Sequence, residues 1–100
     1  MNTKLEDMDG KYVATLEGEM DTAAAAKVEE VLKPLYNSDG QDVIIDCNKL
    51  EYIASSGLRL FFVLLRTVKP NGCDVIIKGA NKTLMEVFEA TGFVNMFQFV

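Results

Sequence analysis

Residues 43–77, VIIDCNKLEYIASSGLRLFFVLLRTVKPNGCDVII, decide the fold. Val43-Ile44-Ile45 is a short β-branched run that reads as a buried strand ending in Asp46-Cys47, and Val75-Ile76-Ile77 is a second such run. Between them, from about Ser56 to Lys69, apolar residues recur at helical spacing until Pro70-Asn71-Gly72 closes the segment. Strand, helix and strand at this separation make a βαβ unit, in which parallel strands are joined by a right-handed crossover.

On the N-terminal side, Lys4 to Met8 and Lys11 to Glu17 are extended stretches flanking Asp9-Gly10, a strong hairpin signal. Tyr12, Ala14 and Leu16 alternate with Val13, Thr15 and Glu17, so one face of the second stretch can be buried. Asp21-Thr22 offers acceptors for the free amides of a helix start. A run of four alanines and then Val28, Val31, Leu32 and Leu35 continue that helix. Pro34 should kink its last turn or end it early, before a turn at Asn37-Ser38-Asp39-Gly40. On the C-terminal side, Asn81 caps a helix that runs to Thr91 with Gly92 as terminator and Leu84, Val87 and Phe88 as its inner face. Met96 to Val100 reads as a terminal strand. The order β-β-α-β-α-β-α-β predicts an α/β domain over residues 1–100, with a mixed sheet of four to five strands and helices packed on it.

Composition narrows the function. The chain has 100 residues, 49% hydrophobic and 25% charged, enough for a core without disulfide or metal staples. A net charge of −5 with no Lys/Arg cluster disfavours nucleic acid. The absence of histidine removes the commonest general base and a common zinc ligand. Cys47 and Cys73 lack C-x-x-C spacing and read as small core hydrophobes. No G-x-x-x-x-G-K-[ST] cradle is present. The longest apolar run, Leu60 to Leu65, is too short to cross a bilayer, and MNTKLEDMDG lacks the features of a secretion signal. The expectation is a cytoplasmic, non-enzymatic protein without cofactor, metal or membrane insertion.

The stretch Tyr52-Ile53-Ala54-Ser55-Ser56-Gly57-Leu58 places two serines and a glycine at the mouth of the central helix, just past a buried strand. Backbone amides and the positive end of the helix dipole are free there, and sites on open α/β sheets favour this edge. A phosphate on a serine would be welcomed by the helix end while adding about −1.5 to −2 charges to the surface in front of it. The plainer reading of Ser-Ser-Gly is a cap and a tight turn. Local chemistry leaves both open. The helix itself carries Leu58, Phe61, Phe62, Leu65 and Val68 as one stripe, with Arg59 and Arg66 on the polar side. Leu60 and Leu64 fall outside the stripe and widen the apolar arc to roughly 200°. Either a neighbouring helix covers them or they form an apolar flank for a partner.

The chain resembles a STAS domain, and within that family the free-standing antagonists that regulate alternative sigma factors. The resemblance rests on Leu16-Glu17-Gly18-Glu19-Met20-Asp21 after the hairpin, Val43-Ile44-Ile45-Asp46 as central strand, the Ser55-Ser56-Gly57-Leu58 turn, the closing Thr91-Gly92-Phe93 and the terminal strand. It implies that Ser55 accepts phosphate from an anti-sigma factor that is itself a serine kinase, with Ser56 as second choice. It further implies that the unphosphorylated form binds that kinase and that a phosphatase resets it. Asp21 then matches an acidic position at the partner-facing edge and Asp46 a polar strand-end position near the serine. Ala54, Ser56, Gly57, Leu58, Arg59 and Leu60 complete the implied partner-binding set. Ala54 departs from the family, which usually has aspartate before the phosphoacceptor. This departure and the wide apolar arc leave an alternative: a non-phosphorylated STAS subunit of a larger assembly, such as a lipid-transport ABC complex.

Overall fold

The computed structural model describes residues 1–37 and 41–100, so most of the turn expected at Asn37-Ser38-Asp39-Gly40 lies outside the described residues. The elements are β1 (Asn2–Met8), β2 (Lys11–Met20), α1 (Thr22–Leu32), β3 (Val43–Ile53), α2 (Ser55–Val68), β4 (Val75–Lys78), α3 (Lys82–Thr91) and β5 (Gln98–Phe99). They follow the expected order. Asp9 and Gly10 both take positive φ, 52° and 79°, which gives the two-residue turn whose twist matches a hairpin. Pro34 acts as expected on α1, which stops at Leu32 and continues only as a tighter 3-10 segment, Lys33–Asn37.

The five strands stand in the order β1-β2-β3-β4-β5. β1 pairs antiparallel with β2, and the remaining pairs are parallel. A helix spans each parallel connection. Because the strands are added in one direction, right-handed crossovers put all three helices on the same face. Burial agrees: Ala14, Leu16, Val43, Ile45, Cys47, Val75 and Ile77 face the helices and are buried. Val13, Ile44 and Ile76 alternate with them and are only half-buried on the other face.

The layer between sheet and helices is filled mainly by aliphatic side chains, with a cluster of phenylalanine rings at one end. Phe88 of α3 lies 6.5 Å from Phe61 of α2 and 5.3 Å from Phe99 of β5, which closes the far end of the core. Leu60 and Leu64 are buried, at 4% and 0% exposure. Between the alternatives the sequence left open, the neighbouring helix wins. α1 and the 3-10 segment that follows it both pack on α2, and the short side chains of Ala25 and Ala26 are the ones that face α2 beside Leu60.

Two boundaries differ from expectation. β3 does not end at Asp46-Cys47 but continues to Ile53 beside an equally prolonged β2, with register shifts after Thr15 and after Gly18. Those irregularities change the buried spacing from every second residue to Cys47, Leu50 and Ile53, which no longer looks like a strand in the sequence. β5 is two residues long rather than five.

Ile45 packs at 0% exposure in the central strand. Ile45→Val should lower unfolding free energy by about 1 kcal/mol in urea titration without changing the m-value. Burial pushes the Cys47 thiol up from 9.0 to about 12, with a smaller contribution from the Asp46 carboxylate. The unfolded thiol ionises first, so this contribution to stability is whole below pH 9 and is lost as pH rises from about 9 toward 12. Cys47→Ala should flatten that alkaline limb, read as midpoint denaturant concentration against pH.

Candidate functional site

At the carboxyl edge of the sheet the ends of β2 and β3 meet the starts of α1 and α2. The Ala54 amide donates to the Met20 carbonyl oxygen at 2.8 Å, which ties the start of α2 to the residue before Asp21. Two helix N-termini therefore sit side by side. Asp21 caps α1, its carboxylate accepting from the Ala24 amide at 2.8 Å. Asn81 caps α3 in the same way through the Leu84 amide. In α2 the cap position falls on Ala54, whose methyl side chain cannot accept a hydrogen bond.

This corrects the expected helix start at Ser56 with a serine as cap. Ser55 is the first residue of α2 and Ser56 the second. The Ala54 carbonyl accepts from the amides of Gly57 and Leu58, at 2.9 and 3.1 Å. Among the described residues nothing accepts from the amides of Ser55 and Ser56. The first turn holds no acidic residue. Its end is therefore an uncompensated positive dipole, with exposed Arg59 one turn further on.

The serines are not equivalent. Ser55 is exposed. The Ser56 hydroxyl oxygen is buried and has no hydrogen-bond partner. It faces the seam between α1 and α2, so it is poorly placed to receive a group from outside. Gly57 explains the packing here. A Cβ at this position would come within 2.5 Å of Met20 Sδ and 2.8 Å of Ile53 Cγ1, side chains themselves locked in the core. Only glycine lets α2 lie this close to the strand ends.

Other members of the implied set separate by role. Asp21 and Arg59 are exposed and Ala54 is half-buried on the same rim. Gly57, Leu58 and Leu60 are buried, so they hold the rim in place rather than stand out toward a partner. Leu60 does floor a groove of about 400 Å³ between α1 and α2, bordered by Thr22, Ala26, Glu29, Arg59 and Val63. Asp46 is a correction. Because β3 runs on to Ile53, Asp46 sits mid-strand between Thr15 and Lys78, on the face away from the helices. Seven residues of strand, roughly 20 Å, separate it from the serine. Its carboxylate instead accepts from the Asn48 amide and side chain, at 3.0 and 2.8 Å. Sequence reasoning missed Met20, whose carbonyl anchors the α2 start; a backbone contact so distant in the chain leaves no mark in residue types.

Two measurements test this geometry. Gly57→Ala should cost about 1–3 kcal/mol of stability by overpacking against Met20 and Ile53, read by denaturant unfolding. Ser56→Ala removes a buried hydroxyl with no partner and should leave stability unchanged or raise it by up to about 1 kcal/mol.

Comparison with known proteins places the geometry. The family model described as STAS domain matches residues 2–100. The anti-sigma-B factor antagonist of Staphylococcus aureus is 27% identical over 96 residues, covering 96% of this chain and 89% of the relative. The solved anti-sigma factor antagonist SpoIIAA in its unphosphorylated form superposes with a TM-score of 0.79 at 19% identity, over 99% of this chain and 87% of that one. The Bacillus cell fate determinant SpoIIAA in the phosphorylated form gives 0.77 at 20% identity, over 99% and 91%. Both structures share the fold.

Proposed function

We propose that this chain, which belongs to the STAS domain family, acts as an anti-sigma factor antagonist that is switched by a phosphate on Ser55. The observation that carries the reading is the exposed hydroxyl of Ser55 on the one helix, among the three described, whose start has no side-chain cap. The relatives named as anti-sigma factor antagonists, and the fold neighbour solved in both phosphorylated and unphosphorylated forms, support it.

The partner would be an anti-sigma factor with serine kinase activity, met in the cytoplasm, and the chain would be its substrate rather than an enzyme. In the transfer, the Ser55 oxygen bonds to the γ-phosphorus of ATP, the bond to the departing ADP breaks, and the hydroxyl proton passes to a base on the kinase. The product oxygens lie within reach of the free amides at the start of α2, which tolerate negative charge. The departure at Ala54 then has a physical consequence. With alanine there, no side chain caps the first turn and its amides stay free, while any contact the kinase makes with the family's usual aspartate is lost. The rim gains about −1.5 to −2 charges while the core beneath stays as it was. A kinase surface complementary to the uncharged hydroxyl is then repelled.

Incubation with an anti-sigma factor kinase from the same organism and ATP should add one phosphate by intact mass. Ser55→Ala should abolish it and Ser56→Ala should not. Ser55→Glu should weaken kinase binding by about tenfold or more in calorimetry. Phosphate on the Ser55→Ala protein, or none on the wild type, contradicts the assignment. Co-purification of the unmodified chain with a membrane transport complex would favour the subunit alternative.

A further inference from the structure

We propose that β1 is a self-complementary edge through which two copies of this chain join their sheets, Leu5 against Leu5, into one ten-stranded sheet. β1 is the outermost strand on its side, seven residues long, and it contains no proline. Nothing among the described residues pairs with its outer edge. Long unpaired edges of this kind are templates for another strand.

The hairpin turn determines which groups are free. Met8 and Lys11 flank the two-residue turn and form a hydrogen-bonded pair, so Glu6, Lys4 and Asn2 also direct their backbone groups toward β2. Thr3, Leu5 and Asp7 then direct theirs outward. An antiparallel copy centred on Leu5 pairs Leu5 with Leu5 and Thr3 with Asp7, all outward-directed residues, and completes the ladder without a bulge. In that register the positions between the hydrogen-bonded pairs, where side chains come closest, hold Lys4 opposite Glu6 twice over.

The neighbouring registers that keep the ladder intact are centred on Lys4 or on Glu6. They set lysine against lysine or glutamate against glutamate, and like charges directly opposite are unfavourable. Lys4 and Glu6 already lie 3.7 Å apart on one face of β1, exposed by 69% and 38%, and are free to exchange one another's partner. A single edge lysine ordinarily blocks pairing. Here the second copy supplies its counter-charge. Leu5, half-buried against the core, gains its own counterpart on the helical face. Two-fold pairing of antiparallel edges points the carboxyl ends of the two parallel sets in opposite directions. The two Ser55 rims therefore sit at opposite ends of the extended sheet, and neither is covered.

Sedimentation equilibrium of the full chain should show a monomer–dimer equilibrium at concentrations up to about 1 mM, the range of a weak edge contact. Lys4→Glu and Glu6→Lys, each confirmed as folded by circular dichroism, should each weaken the dimer by about tenfold or more. An equimolar mixture of these two variants should dimerise, since glutamates then face lysines in the same register. The double variant Lys4→Glu/Glu6→Lys should dimerise as the wild type does. A wild type that stays monomeric, single variants that dimerise unchanged, or a mixture that fails to pair would each overturn the proposal.

Discussion

One short backbone hydrogen bond organises the functional end of this protein: the Ala54 amide to the Met20 carbonyl, 2.8 Å. It joins the ends of two parallel strands just before each gives way to a helix. It can form only because Gly57 lets α2 settle onto Met20 and Ile53 without a side chain between them. Given that contact, the first residue of α2 must face outward, the second must turn into the α1–α2 seam, and Asp21 must stand beside both. Exposure of Ser55 and burial of the Ser56 hydroxyl are thus consequences of backbone packing rather than of the serines themselves.

The capping pattern gives that geometry its electrical character. Asp21 and Asn81 satisfy the starts of α1 and α3 with their own side chains. α2 is left with an alanine, two free amides and no acidic residue in its first turn. A missing N-cap costs a helix about 1 kcal/mol. The burial of Leu58, Phe61, Leu64, Leu65 and Val68 far outweighs that loss. The helix is held from below by its apolar face, so its tip is free to serve as a receptor for charge.

Much of the fold was legible in the residues. Val43-Ile44-Ile45, Val75-Ile76-Ile77 and the intervening helical period determine the parallel core, because a continuous β-branched run has few other solutions. Asp9-Gly10, Asp21, Asn81 and Gly92 each mark a boundary by chemistry that only a few residue types supply. What escaped depends on distant contacts. The second half of β3 loses its alternation because β3 itself carries the extra residues opposite β2, so the residue pattern ends at Asp46-Cys47 although the strand does not. The coverage of Leu60 and Leu64 required knowing which face of α1 the alanines present. At the site, the serine-glycine turn was visible as a motif, and the STAS resemblance pointed to Ser55. The inequality of Ser55 and Ser56 was not visible, since both hydroxyls are one residue apart and only packing against α1 separates them.

On the proposed switch, charge placed on Ser55 is absorbed by the free amides of α2 while the fold beneath is unmoved. Amide proton–nitrogen NMR spectra of the protein before and after phosphorylation test it most directly. Large shifts are expected at Ser55 and Ser56, smaller ones near Asp21 and Arg59, and unchanged resonances for Ile45, Ile77 and Phe88. Shifts spread through the sheet, or none at the Ser55 and Ser56 amides, would contradict it.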